Sequence, residues 1–256
     1  MRSLVKVPPI KQYSLTDEWS EEVNFNNICV FDFETDGTNP KLCEPVQLAA
    51  VMIDGRSMSV IEGSEFSSYM SPPRIDEDEY TESVMDTIKW HAGNYKCTAK
   101  NIIATWQDAP SQKDVWKDFM LYLDRYDSST GRKSKFTKPI ACGHNILRFD
   151  IPIAERLGEL CGSLDKNGEL KCFHPRDKID MMGMFFQWFE NSKDITSYSL
   201  DFMRKYFGMP GDNAHDALQD VRDTAAIIVR FMRLHRNTAK KINFEGSFSE
   251  AADAGE

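Results

Sequence analysis

At 256 residues with a hydrophobic content of 41%, the chain is long enough for one sizeable core and is expected to fold as a single domain with decorations. A formal charge of −9 excludes a protein that coats nucleic acid through a broad basic surface, yet leaves room for one that holds a few nucleotides through metal ions. Six cysteines without a CxxC pair argue against a zinc site and a disulfide framework. With no apolar run of signal-peptide or membrane length, they point to a reducing, cytoplasmic compartment, the host cytoplasm for a viral protein.

Residues 1–25 mix prolines, charges and aromatic side chains without a period and are read as an arm touching the domain at a few points. Ile28 to Val30 then run through Phe31 into Asp32-Phe33-Glu34-Thr35-Asp36-Gly37. A strand's side chains alternate, so Asp32 and Glu34 project from one face near its end. Two acids crowded on an apolar strand repel one another and lose hydration; oxygen-only ligands that relieve this favour Mg²⁺ or Mn²⁺. A strand end opening into a polar turn is the structural alternative.

Val46–Ile53 reads as a second strand, Asp54-Gly55 as a hairpin signal and Ser57–Tyr69 as a third strand. The segment 71–80 is a loop whose acidic run belongs to solvent. From Thr81 to about Asp127 the apolar spacing is helical. Within it, Trp90 is read as core and His91 as exposed or satisfied, the alternative being a nucleobase stacked on the tryptophan. The basic stretch Ser128–Lys138 is either a solvated loop tip or a phosphate contact.

Pro139–Gly143 is a short buried strand ended by His144-Asn145. Pro152 is tolerable only in a first helical turn, which puts the start of the next helix near Asp150, where the helix dipole favours an anion. Residues 161–174 form a loop or short hairpin on Lys166-Asn167-Gly168. Ile179–Glu190 is a Met- and Phe-rich core helix, and Ser199–Phe207 is a helix ended by Gly208 and Pro210. The loop 211–214 leads to His215. Asp216 and Gln219 then have the spacing of an N-cap and its capping-box partner on a helix running to about Leu234. From Asn237 onward a disordered tail, 237–256, is expected.

Three motifs in order carry a resemblance. Asp32-Phe33-Glu34-Thr35 matches D-x-E-T, Gly143-His144-Asn145-Ile146-Leu147-Arg148-Phe149-Asp150 matches a longer second motif, and His215-Asp216-Ala217-Leu218-Gln219-Asp220 matches H-x-A-x-x-D. Over roughly residues 26–232 the chain resembles the DEDD superfamily of 3′–5′ exonucleases, in its histidine-bearing subgroup. The run Glu34-Thr35-Asp36-Gly37-Thr38-Asn39-Pro40 and the longer second motif look like the bacterial exonuclease I branch. Asp36 stands where many members have a second threonine, and residues 71–138 are longer than the equivalent stretch of proofreading subunits, as if holding an insertion.

The resemblance implies an α/β, ribonuclease-H-like three-layer fold, a mixed five-stranded sheet flanked by helices, with an exonuclease domain over 26–236. It implies a metal-dependent hydrolase releasing nucleoside 5′-monophosphates by a two-metal route. Asp32, Glu34, Asp150 and Asp220 would be ligands to two divalent cations, Mg²⁺ or Mn²⁺. His215 would be the general base, and Thr35 and Asn145 would contact the terminal nucleotide. Its partner would be a single-stranded 3′ end, DNA favoured over RNA, with a replication or repair protein delivering it. Two competing classes are a ribonuclease-H-like endonuclease and a non-catalytic nucleic-acid-binding or polymerase-accessory module. The second has no need to crowd carboxylates.

Overall fold

The computed structural model describes residues 25–73, 80–209 and 216–239. Within them one mixed sheet is built from β1 (Ile28–Thr35), β2 (Pro45–Asp54), β3 (Ser59–Val60), β4 (Phe66–Tyr69), β5 (Ile140–Gly143) and β6 (Lys178–Asp180). β2 lies antiparallel to β1 and pairs along its other edge with both β3 and β4, so these two short strands fill one place between them. β5 runs parallel to β1 and β6 parallel to β5. Counted across the sheet, the order β3/β4, β2, β1, β5, β6 has the five expected positions. The helices are α1 (Glu82–Asn94), α2 (Ala99–Gln107), α3 (Gln112–Asp124), α4 (Asp150–Leu160), α5 (Met181–Phe189), α6 (Leu200–Tyr206) and α7 (Ala217–Ala239).

The apolar runs of β1 and β2 are buried on both faces because helices cover both. Cys29, Phe31 and Phe33 of β1 pack into one core with Trp116 and Phe119 of α3 and Ile153 and Leu157 of α4. Ile28 and Val30 face a second core with Phe185 of α5, Met203 of α6, and Val221, Ala225 and Ile228 of α7. Asp32 and Glu34 continue the Ile28–Val30 row, so the alternation of the strand delivers them to the α7 side. α1 and α2 bury Val84, Ile88, Ile102 and Trp106 in a smaller cluster of their own with Val46.

Several elements differ from the expectation. The stretch 57–69 is two strands: Gly63 turns the chain at φ 71°, and the buried Ser64 Oγ accepts from the Met52 amide at 3.0 Å. The helical region 81–127 is broken into three by N-caps at Thr81, Thr98 and Ser111. Ile179 and Asp180 belong to β6, and the Met- and Phe-rich helix begins only at Met181. The Gln219 side chain donates to Asp223 at 2.8 Å, one turn further along α7. α7 continues through 237–239, so the first three residues of the expected tail are helical. Phe25, at the end of the arm, lies beneath the guanidinium groups of Arg56 and Arg236; the rest of the arm, 1–24, and the tail beyond Ala239 lie outside the described residues.

Candidate active site

The β1–β5 ladder ends at Val30 opposite Cys142, so the amide of Phe33 lies past it and needs another acceptor. Asp150 provides one, its Oδ1 accepting that N–H at 3.0 Å. Reaching this place requires the chain to turn sharply after β5. A Cβ on Gly143 would come within 2.9 Å of the Phe31 carbonyl, and Asn145 adopts φ 55°, a left-handed conformation asparagine tolerates. Asp180 holds the turn: its carboxylate accepts from the amides of Asn145 at 3.1 Å and Leu147 at 3.3 Å. The same side chain caps α5 through the Met182 amide at 3.0 Å.

Glu34 stands opposite Gln47, and the register shifts between Glu34 and Thr35. Such a bulge re-aims the strand beside a site. Asp220 lies in the first turn of α7, its amide donating to the Asp216 carbonyl at 2.9 Å. Oδ1 of Asp220 accepts from Arg204 at 2.6 Å.

These four acids share one cleft of about 470 Å³, together with His144, Asn145, Phe149 and Tyr198. Burial raises the proton affinity of Asp32 well above the carboxylate range, and Asp150, Glu34 and Asp220 add to it, with Arg204 opposing them. Glu34 is pushed up to about 8 by burial, then by Asp220, Asp150 and Asp216. Asp150 rises to about 7, chiefly by burial, against the pull of the Phe33 amide. Among the described residues no three such side chains are already drawn together as a metal cage. One oxygen each of Asp150 and Asp220 is turned towards protein donors instead.

A second lobe of about 700 Å³ adjoins the acids through Glu34 and Phe33 and runs past Thr35, Thr38 and the outer face of α1. Trp90 and Phe149 border both lobes. Trp90 is thus not a core residue: 46% of it is exposed. His91 beside it is buried, with Nε2 3.0 Å from the Thr35 carbonyl, which ties α1 to the end of β1. Burial lowers the proton affinity of His144.

The predicted substrate contacts fall on the cleft, Thr35 in the larger lobe and Asn145 in the smaller; the Thr35 hydroxyl donates to the Gly37 carbonyl at 2.6 Å. His215 lies outside the described residues. The basic stretch 128–138 closes with a 3₁₀ turn, Lys135–Thr137, and is tied by the Phe136 and Lys138 carbonyls to Asn26, ahead of β1 and at the end of that strand away from the acids. From sequence, Asp180 and Asp223 are read only as turn, cap or surface residues: Asp180 is a cap that also holds the turn of the cleft, Asp223 is buried, and Arg204 carries no sequence signal. The last two form a buried ion pair at 2.7 Å.

No family model and no curated protein matches the chain by sequence. Solved structures do. Exonuclease I of E. coli in complex with a dT13 oligonucleotide superimposes with a TM-score of 0.59 at 21% identity, covering 83% of this chain and 43% of that one. Cell-death related nuclease 4 gives 0.58 at 18% identity, over 82% of this chain and 65% of the other. A moderately thermophilic exonuclease I from Methylocaldum szegediense gives 0.59 at 18% identity, over 84% and 42%. The chain therefore spans less than half the length of the exonuclease I structures it matches, and what it shares with all three nucleases is the α/β, ribonuclease-H-like fold.

Proposed function

We propose that the chain is a metal-dependent 3′–5′ exonuclease acting on single-stranded DNA. The observation that carries this reading is the gathering of Asp32, Glu34, Asp150 and Asp220, distant in sequence, at one cleft. Burying mutually repelling carboxylates is costly unless a cation relieves them. Four carboxylates at one cleft are a hard oxygen donor set that fits Mg²⁺ or Mn²⁺, and Asp32, Glu34, Asp150 and Asp220 would hold them. Two such ions supply water activation and stabilisation of the leaving 3′ oxygen.

The chain's own groups do the rest. The imidazole of His215 takes the proton from the attacking water, its ordinary pKa lying near operating pH. The bond broken joins phosphorus to the 3′ oxygen of the penultimate nucleotide, and the terminal 5′-monophosphate leaves. Trp90 and Phe149, at the boundary of the two lobes, offer aromatic faces to the terminal bases; Thr35 and Asn145 supply polar contacts. The fold shared with exonuclease I, whose structures include complexes with single-stranded oligonucleotides, supports DNA as substrate.

The test is a time course on 5′-labelled single-stranded DNA and a matched RNA, with Mg²⁺, Mn²⁺ or EDTA, beside Asp32→Ala and His215→Ala. The expected result is a ladder shortening from the 3′ end, faster on DNA and abolished by EDTA and both substitutions. Internal cuts would replace this reading with an endonuclease, and binding without cleavage would replace it with an accessory module.

A further inference from the structure

Arg204 sits on α6 with 2% of its surface exposed, and its three nitrogens reach three carboxylates. Nε donates to Asp223 at 2.7 Å, Nη1 to Asp201 at 2.9 Å and Nη2 to Asp220 at 2.6 Å. Asp223 is itself held from its other oxygen by Gln219 at 2.8 Å. A clamp joining α6 to α7 is complete with Arg204, Asp223 and Gln219. The third donor goes elsewhere, to an acid of the cleft.

We propose that Arg204 is the positioning residue for Asp220: anchored by Asp223 and Asp201, its planar fork fixes the rotation of the Asp220 carboxylate and so sets the affinity of the cleft for a divalent cation. The inference rests on the metal-dependent reading of the cleft. A guanidinium suits the task because its donors lie in one rigid plane, whereas a lysine ammonium would satisfy at most part of the arrangement. Hydrogen bonds to metal-binding carboxylates commonly carry about 10–100-fold in affinity.

The sign of the effect separates this role from a purely electrostatic one. Removing a positive charge beside four acids strengthens their attraction for a cation; removing the group that orients one of them weakens binding. The experiment titrates Mn²⁺ into wild type, Arg204→Met, Arg204→Lys, Asp223→Asn and Asp32→Asn, reading free Mn²⁺ by electron paramagnetic resonance, with circular dichroism and unfolding in EDTA as controls of the fold.

Wild type is expected to bind Mn²⁺, and Arg204→Met to raise the dissociation constant by about tenfold or more. Asp223→Asn loosens the anchor of Arg204 and also removes a negative charge, so weaker binding is expected of it on either account and it serves as the electrostatic reference; Arg204→Lys, which keeps the positive charge, should fall between wild type and Arg204→Met. Should Arg204→Met fail to fold, Arg204→Lys carries the measurement. Unchanged or tighter Mn²⁺ binding in the folded Arg204 variants would overturn the positioning role while leaving the exonuclease reading intact. Absence of Mn²⁺ binding in wild type as well as Asp32→Asn would overturn both.

Discussion

Replacing Glu34 by glutamine should make the metal-free protein more stable at pH 8, although Glu34 is one of the acids assigned to the reaction. Its carboxyl is pushed from an ordinary 4.5 to about 8 by burial and by Asp220, Asp150 and Asp216. Between those values the folded chain holds a proton that the unfolded chain has released, so stability falls as pH rises through the window. At about 1.4 kcal/mol per pH unit the full displacement approaches ~5 kcal/mol. Glu34 remains partly open to the cleft and its neighbours share the proton, so about half of that, ~2–3 kcal/mol, is expected. The assay is urea unfolding in EDTA at pH 5 and pH 8 for wild type and Glu34→Gln. The variant should gain ~2–3 kcal/mol at pH 8, within about 1 kcal/mol of nothing at pH 5, and Mg²⁺ should stabilise wild type more than the variant. No gain at pH 8, or an equal gain at both pH values, would refute the idea that charge crowding sets the energetics of this cleft.

Other consequences are as direct. Trp90→Ala should raise KM for single-stranded DNA about tenfold with a smaller change in kcat, from the loss of one stacking face; steady-state kinetics on labelled oligonucleotides would show it, and an unchanged KM would remove Trp90 from the substrate path. Asp180→Ala leaves the amides of Asn145, Leu147 and Met182 without their acceptor, and denaturant unfolding should report a loss of about 2–3 kcal/mol. Gly143→Ala forces a methyl against the Phe31 carbonyl, with an expected cost of about 1–3 kcal/mol. Its activity should fall further than Tm suggests, because the displaced turn carries Asp150.

The two acids of β1 are legible in sequence because strand alternation and a run of four apolar residues are local signals. Asp150 is legible through Pro152, which leaves the helix few places to begin. Asp180 is not: its value lies in amides 33 and 35 positions earlier in the chain, and nothing near it announces them. Arg204 likewise reads as the solvated side of a short helix, its only local partner being Asp201 one turn before. Trp90 was within reach. It follows the buried Ile88 by two positions, about 200° around a helix, so it had to point away from the apolar stripe of Val84, Ile88 and Ala92. The split of 57–69 into β3 and β4 depends on Ser64 being buried beneath Met52 and Tyr122, a tertiary demand that strand propensity does not contain.

The cleft is stitched from distant parts of one chain: the Phe33–Asp150 hydrogen bond spans 117 positions, and Asp220 arrives only on α7. During synthesis the β1–β2 pair emerges long before either of its later partners. Until α7 docks, the growing chain has all six strands but only Asp32, Glu34 and Asp150 of the four acids, and the cleft lacks the helix that carries Asp220. On the reading proposed above, the cleft would gain its full set of acids only when the last helix is in place, so a chain that stops short of α7 would lack a complete site.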